Sequence, residues 1–308
     1  MASSWRRTVA ISGESSDIIV STTRPFLSVR VPGPTYTLVR VAPLGVFTDA
    51  TVIDLSIGIE HQAASEPDPA TIDRMDHRAG AEWLAQNLQA MDTDVEADDF
   101  PDGTALAWEE IHAITHTATH MDAPYHYGAE SEGEPARTID EVPLDWCLGE
   151  AVVLDLRHLD AGAEIGVDDL QEALAAIDYD LTGDEIVLLQ TGADERWGTP
   201  EYLTEFPGMG REATLWLVEQ GVRVIGTDAY GFDRPFVEMG ERFEETGDPG
   251  ELWPAHRAGR DAEYCQLEKM ANFDALPRRT EIPLAATPIL IEDASAGWVR
   301  PVAVLPEG

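Results

Sequence analysis

Lysine is almost missing from this chain: Lys269 is the only one among 308 residues, and the remaining positive charge is carried by arginine. Lysine and arginine together number 20, against 58 aspartates and glutamates, a formal net charge of −38. So negative a surface excludes the phosphate backbone of nucleic acid as a partner. The two cysteines, Cys147 and Cys265, are too few for a disulfide framework, lack C-x-x-C spacing and read as buried free thiols. No apolar run reaches the roughly 18 residues of a helical membrane span, and Arg6-Arg7 precedes no apolar stretch of the kind an export signal needs. A Gly-rich phosphate loop and a G-x-S-x-G elbow are also missing, which argues against phosphate cradling and serine-hydrolase chemistry. These gaps lead us to expect a soluble, cytoplasmic protein that acts on a small molecule, with no membrane partner. The acids are scattered rather than gathered in a tail. Such a surface suits concentrated salt, where the screening length falls to about 3 Å at 1 M, and points to a halophilic cytoplasm.

What is present suits an ordinary globular core, with 44% apolar residues in a chain long enough for one large domain. Residues 1–48 are rich in Ser, Thr, Pro and Gly and read as a loosely structured extension; residues 49–308 read as a single domain. Within it, the apolar runs at 51–59, 151–156, 186–191 and 222–227 predict strands, as do 288–292 and 298–305. The spacing of apolar residues predicts helices over 80–91, 168–177 and 211–220. Alternation of strand and helix implies an α/β domain containing parallel strand pairs.

The most informative stretch is His116 to His126, HTATHMDAPYH, which holds three of the eight histidines. The spacing of four, two and four places His116, His120, Asp122 and His126 on one face of an extended backbone. A helix, at about 100° per residue, would turn Asp122 roughly 120° away from His116 and about 160° away from His120. The β-branched Thr115, Thr117 and Thr119, together with Pro124, also oppose a helix. A long strand over 105–119 entering a turn is therefore expected. Two or three imidazoles converging with one carboxylate are a donor set for a divalent cation.

The other histidines divide. His61, His77 and His158 lie in charged, loop-like surroundings and are expected in solvent. His112 shares the face of His116 but sits about 13 Å further along a strand at roughly 3.3 Å per residue, where it could support the site rather than bind. His256 and Glu268 are twelve residues apart, which by itself suggests no more than a solvated helix face. Asp228 ends the strand 222–227, where open α/β sheets place their sites, although a turn cap is an equal reading. The aromatics of 197–216 and 230–253 fit either a pocket lining or the core.

The string HTATHMDAPYH resembles the H-x-G-T-H-x-D-x-P-x-H motif of the cyclase family of metal-dependent hydrolases, which includes bacterial kynurenine formamidase and isatin hydrolase. IDLS at 53–56, GTDAYGFD at 226–233, His256, and Glu268 followed by Asn272 and Leu276-Pro277 agree with it, so the similarity spans roughly 51–304. Ala118 stands where the family usually has glycine. The resemblance implies a swivelling β/β/α-type mixed-sheet fold and a homodimer or homotetramer. It also implies one or two divalent ions, zinc or manganese: His116, His120 and Asp122 would bind the first, and Asp122 would bridge to a second held by His256 and Glu268. His126 would be the catalytic proton-transfer residue.

The expected activity is hydrolysis of a small aromatic amide, N-formyl amide or cyclic amide by metal-activated water. Two alternatives use the same residues. Two histidines and a carboxylate also hold Fe(II) for oxygen chemistry, and a metal-dependent binding protein without activity would need no open coordination position.

Overall fold

The computed structural model describes residues 50–306; the reading of residues 1–48 as an extension lies outside them. Nine strands form one mixed sheet. In chain order they are β1 (Ala50–Asp54), β4 (His120–Asp122), β5 (Leu148–Asp155), β6 (Ile186–Gln190), β7 (Val224–Thr227), β8 (Cys265–Glu268), β9 (Ile282–Ala285), β10 (Ala296–Trp298) and β11 (Val302–Pro306). Their spatial order is β1-β11-β9-β5-β6-β7-β8-β4-β10. The middle four, β5 to β8, are parallel, and every other pairing is antiparallel. The remaining β2 (Thr71–Met75) and β3 (Trp108–His112) pair with each other apart from this sheet.

Period-two alternation separates the two faces of the parallel strands. Val152, Leu154, Val187, Leu189 and Ile225 meet α3 (Val167–Ala176) and α4 (Arg211–Glu219) through Leu170, Leu174 and Leu217. Leu170 and Leu174 are one helical turn apart, the spacing a helix needs to lay one apolar stripe on a sheet. The opposite residues Ala151, Val153, Ile186, Leu188, Val224 and Leu267 share a second cluster with Met121 of β4 and Leu305 of β11. Those two strands are second from opposite edges, so they share a core because the sheet curls around it. The result is the α/β mixed-sheet class expected from the sequence.

The expected helices are found as α1 (His77–Gln89), α3 and α4, with Asp76 accepting bonds from Arg78 N and Ala79 N at the start of α1. The strand expected over 105–119 is not one strand. Pairing stops at His112, all five residues of β3 are exposed, and residues 115–119 form a turn and bend. The cause is local: Thr117 N bonds back to Ile114 O, and Ala118 has φ +55°, which no extended strand allows. No strand forms over 288–292, where 282–285 pairs instead. The run 298–305 is split into β10 and β11 around Pro301, which has no N–H to give a ladder. Three helices were unforeseen: the one-turn α2 (Pro124–Tyr127), α5 (Phe236–Thr246) and the short α6 (Pro254–Ala258).

Candidate metal centre

The antiparallel register of β4 and β8 sets Glu268 opposite His120 and Gln266 opposite Asp122. His120 and Asp122, two residues apart on β4, point to the same side, as the sequence argument required. His116 and His126 reach them by other means. His116 hangs from the turn before β4, and His126 lies on α2, whose first residue is Pro124, a preferred helix-starting position. His256 arrives on α6. The convergence expected from a single extended backbone is therefore assembled from a turn, a strand and a helical turn.

His116 Nδ1 is 2.8 Å and His120 Nε2 3.3 Å from Asp122 Oδ1. His120 Nε2 is 3.6 Å from Glu268 Oε2, while His256 Nε2 lies 3.9 Å from Asp122 Oδ2 and 3.8 Å from Glu268 Oε1. The His126 ring is 4.2 Å from that of His116 and 5.4 Å from that of His256. All six sequence candidates thus meet in one place. His116, His120 and Asp122 form one group with mutually close donor atoms, and Asp122, His126 and His256 form another. Asp122 is common to both.

Orientation is fixed from outside the cluster. His120 Nδ1 is 2.9 Å from Ala118 O, which as a carbonyl only accepts, so the proton sits on Nδ1 and Nε2 offers a lone pair inward. His256 Nδ1 bonds to Asp233, which does the same for its Nε2. Glu268 Oε1 accepts from Phe232 N at 2.8 Å. His120 and Asp122 are fully buried, and His256 and Glu268 nearly so.

The cluster passes a direct test of fit to a cation. His120 Nε2 and both carboxylate oxygens of Asp122 are buried without an aligned hydrogen bond, the 2.8 Å approach of His116 Nδ1 to Oδ1 lying off the hydrogen-bond direction. Each such atom costs about 1–3 kcal/mol in a finished fold, and native structures rarely leave several together. Two anionic oxygens and a neutral imidazole nitrogen, all desolvated and aimed at one another, are what a divalent ion satisfies. The charges agree. Burial works to raise the Asp122 carboxyl, but positive charge beside it, that of a protonated His120 first, holds it well below the usual range, so this buried carboxylate is an anion that a cation stabilises. Burial and the neighbouring Asp122 push Glu268 up, and burial pushes His126 down to about 4.

The cluster opens into a cavity of about 230 Å³. Phe206, Tyr230, Phe232, Phe236, Met239 and Trp253 supply its apolar walls. Trp253 stacks on the His256 ring at 4.6 Å and meets His126 edge-on. The aromatics of 230–253 thus line a pocket as well as fill the core.

Of the remaining candidates, His61, His77 and His158 are exposed, as expected. His112 is also exposed, 3.5 Å from Glu110, and takes no part in the cluster. Asp228 is a turn cap: its carboxylate receives Thr191 N, Thr191 Oγ1 and Gly192 N, while burial raises it to about 7. Cys147 and Cys265 are buried free thiols. Three residues with a bearing on the site went unassigned in the sequence: Asp233, Glu66 and Lys269. Asp233 lies inside the quoted GTDAYGFD string. Lys269 carries its own signal, as the sole lysine of an acid-rich chain and the neighbour of Glu268.

Fold and cluster together describe a curled mixed-sheet α/β protein whose buried His/Asp set is of the kind that holds a divalent metal ion. The Cyclase family model matches residues 53–234, and the chain belongs to that family. Kynurenine formamidase of Erythrobacter litoralis is 30% identical over 188 residues, covering 61% of this chain and 72% of that protein. Isatin hydrolase of Roseibium aggregatum is 26% identical over 236 residues, covering 67% and 78%. The crystal structure of an isatin hydrolase bound to the product analogue thioisatinate superimposes with a TM-score of 0.63 at 20% identity, covering 84% of this chain and 94% of that one. The chain is an enzyme of the hydrolase class. Among the described residues no helix is long and apolar enough to cross a membrane.

Proposed function

We propose that this protein hydrolyses a carbon–nitrogen bond in a small aromatic amide, an N-formyl amide or a cyclic amide, using zinc or manganese. The observation that carries the reading is the set of buried atoms without an aligned hydrogen bond, His120 Nε2 and Asp122 Oδ1 and Oδ2, lying against His116, His256 and Glu268, which line an aromatic-walled cavity. The names of the relatives, a formamidase and an isatin hydrolase, support it.

His116, His120 and Asp122 would hold one ion, with His256 and Glu268 completing a second position around the shared Asp122. A bound divalent ion supplies Lewis acidity to a carbonyl and acidifies water toward neutrality. The chain's own residues do the rest. Tyr230, Phe206 and Trp253 take up the flat apolar body of the substrate and shed water from it. His126 is neutral at pH 7, because burial lowers its pKa to about 4, so it is ready to accept the proton of the attacking water. It would then return that proton to the leaving nitrogen, since a C–N bond breaks easily only when the departing amine is neutral. Asp233 keeps His256 in the tautomer that turns Nε2 toward the cluster.

The test is a panel of N-formyl anilides, cyclic amides and lactones in molar KCl, with metal content measured on the same preparation. Hydrolysis that disappears on chelation and returns with zinc or manganese supports the reading, and metal-independent turnover overturns it. Asp122→Asn is expected to lose the metal itself. A homodimer or homotetramer, in the cytoplasm, completes the proposal; a monomer by light scattering at micromolar concentration contradicts the oligomer.

A further inference from the structure

We propose that the buried ion pair of Glu66 and Lys269 clamps the His116–Ala118 turn in the shape that presents the metal ligands, making both of them positioning residues; the inference rests on the metal reading above. The turn is an unusual piece of backbone. Ala118 has φ +55° and is almost fully buried, a conformation that L-residues disfavour and that glycine adopts freely. At this reversal the His116 carbonyl and the Ala118 amide face the protein interior with no strand to pair them.

The ion pair supplies both partners. Lys269 Nζ lies 2.9 Å from His116 O and 2.7 Å from Glu66 Oε2. The other oxygen, Glu66 Oε1, accepts from Ala118 N at 2.8 Å. The cation holds one end of the turn and the anion the other, and each holds its partner in place. The next residue is tied in as well: Thr119 Oγ1 donates to Lys269 O and accepts from Ile57 N at 2.7 Å. The third direction of the ammonium is taken by the face of Tyr230, 4.7 Å from the ring centroid. Lys269 and Glu66 are 3% and 7% exposed, so water competes little for any of these bonds.

Two consequences reach the metal. Ala118 O, whose direction depends on the same turn, is the acceptor that fixes the tautomer of His120. His116 is itself a proposed ligand. A compact ammonium with three donors can serve a carboxylate, a carbonyl and a ring face at once, whereas a planar guanidinium cannot divide its donors that way. This accounts for the one lysine kept in a chain that otherwise uses arginine. With its donors so occupied, Lys269 holds rather than reacts.

The experiment measures manganese affinity by chelator competition in molar KCl, beside thermal melting, for the parent and for Lys269→Met, Glu66→Gln and the double variant. Lys269→Met keeps the side-chain length, removes the charge and is expected to weaken metal binding about 10–100-fold, as loss of partners that orient ligands does. The losses should be non-additive, the double variant losing less than the sum of the singles, because removing both charges strands neither. Glu185→Gln, remote from the site, serves as the control in which stability falls and metal affinity does not. Should Lys269→Met fail to fold, the neutral double variant decides: a loss of tenfold or more supports the clamp. Parent-like affinity in whichever variant is measured overturns it. A parent that binds no divalent ion sinks the metal reading instead, which is a different result.

Discussion

Asp233 accepts a hydrogen bond from His256 Nδ1, and its two oxygens also receive the backbone amides of Ala255, at 2.6 Å, and His256, at 3.2 Å. One carboxylate thus starts the short helix α6 and aims the imidazole it carries, so that Nε2 faces Asp122 and Glu268. Replacing Asp233 with Asn keeps the size and removes the charge, and the amide can offer the ring a donor where it needs an acceptor. We expect a roughly 10–100-fold loss of affinity at the second metal position, with His116, His120 and Asp122 still binding one ion. Metal titration followed to two equivalents checks this, and two parent-like binding steps would contradict it.

His126 tests the division of labour within the cluster. If it is the proton carrier, His126→Ala lowers kcat by about 10²–10⁴-fold and leaves the metal content of the purified enzyme unchanged. The geometry also sets it close enough to Asp122 and His256 to act as a ligand. Loss of metal along with turnover would therefore assign it that role and withdraw the acid/base one. Both quantities should come from a single preparation.

How much of this was legible beforehand depends on the range of the forces involved. The parallel strands were readable because Val152 to Leu154 and Ile186 to Leu189 are buried on both faces, and burial on both faces writes a continuous apolar run. The His116–His126 cluster is readable as a site from its chemistry, although its backbone is a turn, a strand and a helical turn and not the single extended segment that the spacing suggests. Ala118 in a left-handed conformation is an outlier for alanine, and nothing in HTATHMDAPYH marks it apart from the resemblance, which has glycine there. The resemblance brought His256 and Glu268 into the site, since twelve residues of spacing do not show that α6 and β8 converge. Glu66 and Asp233 were invisible for a related reason. Each acts through a partner 203 or 23 residues away, and one acid among 58 carries no local mark.

Away from the site, Glu185 gives a prediction about acid stability. Burial acts to raise its pKa, but the Thr182 hydroxyl, the Thr182 and Gly183 amides and the Tyr179 hydroxyl all donate to it and outweigh burial, bringing it to about 2 from 4.5. A carboxyl depressed by folding stabilises the native state fully above its unfolded pKa, and that contribution fades as pH falls from about 4.5 through about 2. Glu185 is 4% exposed, so the shift corresponds to roughly 3 kcal/mol. Glu185→Gln should be less stable than the parent by about that amount at pH 7, with the gap closing below pH 4. Denaturant melts at pH 7 and pH 3 measure it, and a gap that is the same at both pH values refutes the assignment.

The excess of acid gives the last prediction. With 58 carboxylates against 20 basic groups, self-repulsion favours expansion of the chain, and that repulsion is relieved when the screening length drops from about 10 Å at 0.1 M to about 3 Å at 1 M salt. Among the described residues, many of the ion pairs that salt also weakens are exposed, such as Arg196 with Glu205 and Arg211 with Asp261, and pairs of that kind contribute about 0–1 kcal/mol each. Repulsion should therefore dominate, and raising KCl from 0.1 to 2 M should stabilise the fold by more than about 1 kcal/mol, a rise in Tm of about 2–4 °C for each kcal/mol in a domain of this size. Potassium chloride is preferred to sulfate because sulfate strengthens apolar burial in any protein. A Tm that is flat or falling across that range would show that these carboxylates are not held apart by salt.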